Sequence, residues 1–99
     1  SPDPVTAVCT VNDDMAADIL TKLLAAGIQV PQQICLTGFD DTEFSHDTHP
    51  PLTTIRVDRK SMGTQGAKTI LRRIGNNEAA PRKLVIPFEL VERESVRSQ

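Results

Sequence analysis

Residues 6–39 read TAVCTVNDDMAADILTKLLAAGIQVPQQICLTGF, and the hydrophobic period changes twice within them. Thr6–Val11 is short, β-branched and continuously apolar, the pattern of a parallel strand buried on both faces. Met15, Ile19 and Leu23 then recur every four residues beside Ala16, Leu20 and Leu24, which is one face of a helix. Asn12, Asp13 and Asp14 supply an N-cap and charge that complements the helix dipole, and Gly27 followed by Pro31 supplies the stop. The spacing predicts a helix over 13–26, followed by a second buried strand over 34–39. Strand, helix and strand with short connections form an α/β unit with a parallel, Rossmann-like sheet and a right-handed crossover.

Downstream, residues 40–51 carry Asp, Asp, Glu, His, Asp, His and two prolines without periodicity and read as a loop. A third strand is expected over 52–57. Asp58 then caps a second amphipathic helix with Met62, Ala67, Ile70, Leu71 and Ile74 on one face, ended by Gly75-Asn76-Asn77. Residues 83–92 alternate apolar positions at Leu84, Ile86, Phe88 and Leu90. Pro87 makes that segment an edge strand or a crossover.

Ninety-nine residues are one small domain's worth of chain. With 38% hydrophobic and 24% charged residues the chain is too apolar to be disordered. A net charge of −2 leaves no basic footprint for nucleic acid, so these residues do not themselves grip DNA. Three Phe with no Tyr or Trp leave Phe39 or Phe44 as the aromatic face on which a sugar or base could stack. No apolar run is long enough to span a membrane and the start has no signal-peptide pattern, so a soluble protein is expected. Cys9 and Cys35 each sit in an apolar run, with neither redox nor zinc spacing, and read as buried, reduced core residues.

In an open parallel sheet, ligands bind beyond the carboxyl ends of the strands. The first two strands end in Asn12-Asp13-Asp14 and Gly38-Phe39-Asp40-Asp41, so both polar clusters fall on the same edge. An amide and a carboxylate there can satisfy the hydroxyls of a sugar or the N–H groups of a purine. Helix capping also accounts for the first cluster, and an ordinary acidic turn for the second. The crowded carboxylates and His46-x-x-His49 raise a metal site, but the spacing matches no established zinc motif. An acidic pocket could hold magnesium for phosphoryl chemistry, yet no lysine stands at a neighbouring strand end, and Arg56 is a poor substitute. Nucleophile elbows and phosphate loops are missing too. We therefore expect no catalytic residues, metal or cofactor.

Three strings carry a resemblance: Thr6–Ala17, Gly27–Asp41 with its Gly-Phe-Asp-Asp, and Pro50-Pro-Leu-Thr-Thr-Ile-Arg56, followed by the closing Leu90-Val-Glu-Arg-Glu-Ser95. Together they resemble, in order and spacing, the C-terminal part of the LacI/GalR family of bacterial transcriptional regulators. The resemblance implies a fragment of a two-lobed fold of the periplasmic-binding-protein type I, whose small effector, a sugar foremost, lies between the lobes. It places 1–57 and 83–95 mainly in the C-terminal lobe and 58–82 in the N-terminal lobe, with the DNA-binding domain absent. Asn12 and Asp40 carry over as effector contacts, Phe39 and Asp41 flank them, and Asp58 or Arg59 would border the cleft. Arg59 stands where some sugar repressors carry an aromatic. The family's dimer interface implies Met15, Ile19, Phe44 and His46 as contacts of a homodimer, with operator DNA bound only through the absent domain. A periplasmic-type sugar-binding protein of a transport system is the alternative. Without the rest of its lobe, the apolar stripe of 58–74 is expected to repack, to swap with a second chain, or to stay exposed.

Overall fold

A computed structural model of the chain describes residues 4–76 and 83–98. The elements run β1 (Ala7–Cys9), α1 (Asp13–Ala25), β2 (Cys35–Thr37), a 3₁₀ turn (Glu43–His46), β3 (Thr54–Val57), α2 (Arg59–Gly75) and β4 (Phe88–Val91). The chain divides into two compact units, Ser1–Arg56 with Glu89–Gln99, and Val57–Phe88.

In the first unit β1 and β2 pair in parallel, Val8 opposite Leu36 and Cys9 opposite Thr37. A parallel bridge from Thr37 to Thr53 carries the pairing on towards β3, which lies beside β4. Helix α1 starts where Asn12 leaves the extended conformation and its side chain accepts the Met15 amide at 2.8 Å. It ends where Gly27, at φ +80°, turns left-handed and lets Ile28 N donate to Leu23 O at 2.9 Å. Between these ends, Ala16 and Leu20 are buried with Val30, Leu36 and Leu52, while Val8, Ile19 and Leu23 pack against them. Leucines such as Leu36 and Leu52, removed wholly from water, each stabilise the unit by about 1.5–3 kcal/mol.

The closing segment completes this core. Ser95 is fully buried; its hydroxyl donates to Leu36 O and accepts from Thr53 N at 2.8 Å, and its backbone bonds to Leu36 and Pro51. One serine thus fills the hydrogen-bonding positions between β2 and the approach to β3 that a continuous ladder would otherwise occupy.

Three expectations need correction. All the strands are shorter than the apolar runs that contain them. β1 is not buried on both faces, and Cys9 is exposed whereas Cys35 is buried. The reason is that Val8 faces the α1 core, whereas Ala7 and Cys9 point to the opposite face and are exposed there; Cys35, paired with Ala7 on that same face, is covered by Arg97, whose Nη1 donates to its Sγ at 3.1 Å. Finally, residues 40–51 are more than an irregular loop: they contain the 3₁₀ turn and fully buried Ser45, whose backbone bonds to Thr42 and Leu52.

In the second unit, Asp58 caps α2 by accepting the Ser61 amide at 3.0 Å. No residue of α2 is buried, and Met62, Ile70, Leu71 and Ile74 form an exposed apolar stripe, Ile74 at 72%. Of the expected helix stop, Asn77 lies outside the described residues, as do residues 78–82 of the segment assigned to the N-terminal lobe.

Candidate functional site

The polar strand ends of the first unit are organised around Asp13, which is wholly buried. One carboxylate oxygen accepts Thr54 Oγ1 at 2.7 Å, and the other accepts the backbone N–H of Thr42 at 2.8 Å and its hydroxyl at 3.1 Å. Its own amide donates to Phe39 O at 2.9 Å. A single side chain therefore ties the start of α1 to the turn after β2 and to β3. Gly38 makes this possible, because a Cβ there would overlap the Asp13 carboxylate. As sequence, Asp13 was one of three acidic or amide capping candidates, and nothing local distinguished it. The glycine before Phe39 was the available signal.

The next two residues, Asp40 and Asp41, both have positive φ, +102° and +51°. Non-glycine residues in such conformations cost about 1–3 kcal/mol each and persist only where surrounding contacts fix them. Here they are fixed. Asp40 N donates to Ile55 O at 2.9 Å, and Asp41 N to Thr54 Oγ1 at 3.3 Å. Both oxygens of Asp41 are engaged, one by Arg93 Nη2 at 2.7 Å and Ser45 Oγ at 3.1 Å, the other by Arg56 Nε at 2.7 Å. Burial, the largest single influence, pushes the Asp41 carboxyl upward. The hydrogen bonds from Arg93, Arg56 and Ser45, with the charge of Arg93, outweigh it and hold the group at about 2. Reciprocally, hydrogen bonds to Asp41 and then Glu89 raise the Arg56 guanidinium above its usual value.

Asp40 differs from its neighbour. It is half-buried, and its carboxylate accepts no hydrogen bond from the described residues. The NH₂ of Asn12 likewise has no partner among them, since its cap uses only the amide oxygen. Phe39 sits between the two clusters and is 40% exposed. Asn12, Phe39 and Asp40 thus stand on loops joined directly through the Asp13–Phe39 and Asp13–Thr42 bonds, with donor, acceptor and aromatic face uncommitted. Among the described residues no three His, Cys, Asp or Glu side chains converge as a metal cage.

This arrangement sits on a known scaffold: residues 1–96 match the model of the periplasmic binding protein-like domain. The chain belongs to that family. Its relatives there are LacI-type regulators. It is 38% identical over 95 residues to the HTH-type transcriptional regulator GntR of Pseudomonas aeruginosa, an alignment that covers 96% of this chain and 28% of the relative. It superposes with a TM-score of 0.86 and 33% identity on a transcriptional regulator CelR–cellobiose complex, covering 95% of this chain and 28% of that one. On the lac repressor dimer bound to operator and the anti-inducer ONPF the score is 0.83 at 31% identity, covering 94% and 32%. The chain spans less than a third of the length of the curated relatives it matches.

The remaining family-derived positions can be placed unit by unit. Asp58 and Arg59 belong to the second unit, where the Asp58 carboxylate is occupied as the α2 cap and Arg59, the first helical residue, is exposed. In the first unit Met15 and Phe44 are exposed large apolar residues. His46 is exposed, its Nδ1 3.8 Å from Asp47. Ile19 is half-committed to the core. Arg93, in the closing Leu90–Ser95 string, carries no local sign of its role, because its acceptors Leu52 and Asp41 lie 41 and 52 positions upstream. Arg56 likewise shows its use only through Asp41 and Glu89, 15 positions before it and 33 after.

Proposed function

We propose that the chain is the C-terminal part of the ligand-sensing domain of a LacI-type transcriptional regulator. It binds a small effector, a sugar foremost, through Asn12 and Asp40 with Phe39 beside them. The observation that carries the reading is Asp40, a half-buried carboxylate held in a costly left-handed backbone by its neighbours and left without a partner of its own. A free acceptor at the carboxyl end of a parallel strand is suited to vicinal hydroxyls. The cellobiose complex of the CelR relative supports a sugar as the ligand class.

In this proposal Asp41 is structural. Residues 58–82 belong to the other lobe, with Asp58 and Arg59 at the cleft border, and Met15, Ile19, Phe44 and His46 meet a second copy. Effector binding biases lobe closure and dimer geometry, and through them a DNA-binding domain outside these residues. The protein is cytoplasmic and not an enzyme. No described helix is long and apolar enough to cross a membrane, and the relatives named above are regulators rather than transport proteins. The test is calorimetry on the intact protein against a panel of mono- and disaccharides, cellobiose included, and purines. Asn12→Ala and Asp40→Ala should each abolish binding of the sugar the wild type takes up. Wild-type affinity in both variants would refute the site.

A further inference from the structure

We propose that Arg93 is a positioning residue for the effector: acting through Asp41, it locks the left-handed pair 40–41 and so presents the Asp40 carboxylate. The proposal rests on the reading of Asp40 as an effector contact. Arg93 reaches the turn from the segment after β4, 52 residues further along the chain. Its guanidinium is a fork. Nη2 donates to Asp41 at 2.7 Å, while Nη1 donates to Ser45 Oγ and to Leu52 O, both at 2.9 Å. The Arg93 side chain is only 15% exposed and that of Asp41 12%, so the pair is shielded from the solvent that weakens surface ion pairs. Planar donors fixed on three acceptors from three chain segments define a geometry that a point charge cannot.

The consequence for Asp40 is electrostatic as well as steric. Two adjacent carboxylates compete for any nearby cation. With Arg93 and Arg56 satisfying Asp41 completely, no guanidinium among the described residues is bonded to Asp40, whose carboxylate stays available to hydroxyl donors. The left-handed backbone at both residues needs this anchor, because neither is glycine.

Arg93→Met, Arg93→Lys and Asp40→Asn in the intact protein test the proposal by amide hydrogen exchange, read at Asp40 and at Leu20 in α1. Affinity is measured in parallel for cellobiose or whichever sugar of the panel the wild type binds most tightly. Arg93→Met should speed exchange at Asp40 at least about tenfold without changing Leu20, and weaken sugar binding about tenfold or more. Arg93→Lys, which keeps the charge but loses the fork, should recover only a minor part of the Asp40 protection, and full recovery by Lys would overturn the role of the fork. Asp40→Asn should leave exchange unchanged and lose the sugar. Unchanged Asp40 exchange in Arg93→Met, or equal acceleration at Asp40 and Leu20, overturns the positioning role. Should the Arg93 variants behave as expected while Asp40→Asn binds sugar like wild type, the assignment of Asp40 falls and takes the role of Arg93 in binding with it. The lock on the turn would survive that result.

Discussion

Asp13 Oδ1 accepts the Thr54 hydroxyl at 2.7 Å, from a residue 41 positions along the chain and with no solvent access to the carboxylate. Removing that carboxylate leaves Thr54 Oγ1 and the Thr42 amide without their acceptor in the interior. Asp13→Ala should therefore cost about 2–4 kcal/mol in urea denaturation. Gly38→Ala should cost as much by a different route, since the methyl displaces the same carboxylate. The double variant should cost clearly less than the sum, because the two lesions share one hydrogen-bond cluster.

On the proposed role of Asp40, strain at this residue sets stability against binding. Asp40→Gly removes the side chain that disfavours φ +102° and adds flexibility to the unfolded chain. The first effect is the larger, so a net stabilisation of roughly 1 kcal/mol is expected. Thermal unfolding should report a higher midpoint while calorimetry reports no sugar binding. A lower midpoint would mean that the Asp40 side chain supports the fold.

Acid should loosen the turn in a defined window. The Asp41 carboxyl is held at about 2, below its ordinary 3.8. Its ionisation therefore favours the folded state fully above the unfolded value, and that contribution is lost as pH falls from about 4 through about 2. After allowance for solvent screening the contribution is roughly 1 kcal/mol. Stability measured from pH 6 to pH 2 should decline less steeply in Arg93→Met, whose Asp41 has lost its strongest partner.

The α2 stripe should behave as surface. Ile70→Ser and Leu71→Ser remove exposed groups and should change the stability of this chain by no more than about 0.5 kcal/mol. Binding of a hydrophobic dye should fall in the double variant. Leu36→Ala and Leu52→Ala, by contrast, open cavities in the first unit and should cost about 2–5 kcal/mol each.

Local chemistry was legible in the sequence where it acts over a few residues. The period of α1, its cap at Asn12, its stop at Gly27 and the cap at Asp58 all follow from neighbours within one or two turns. The proposal of Asn12 with Asp40 as effector contacts comes from the family resemblance and not from such reading. What stayed hidden depends on partners far along the chain. Asp13 and Asp14 are indistinguishable as letters, yet one is buried on Thr42 and Thr54 and the other is exposed. Asp40 and Asp41 are equivalent as letters and only the family resemblance sets Asp40 first; the difference in the fold comes from Arg93 and Arg56, which occupy Asp41 from 52 and 15 positions away. Cys9 sits in as apolar a run as Cys35, but burial requires something over the face, and it is Cys35 that Arg97, 62 positions on, reaches.

The distance between Asp41 and Arg93 also has a meaning in time. On a ribosome the acidic turn emerges first, and the arginine that holds it follows after 52 more residues, together with Ser95, which ties β2 to the approach to β3. Until then the strained pair has no reason to keep its shape, so a nascent chain can form the α1 layer while the 40–41 turn stays slack. Translation arrested between Asp41 and Arg93 would leave that turn without its anchor however well α1 had formed.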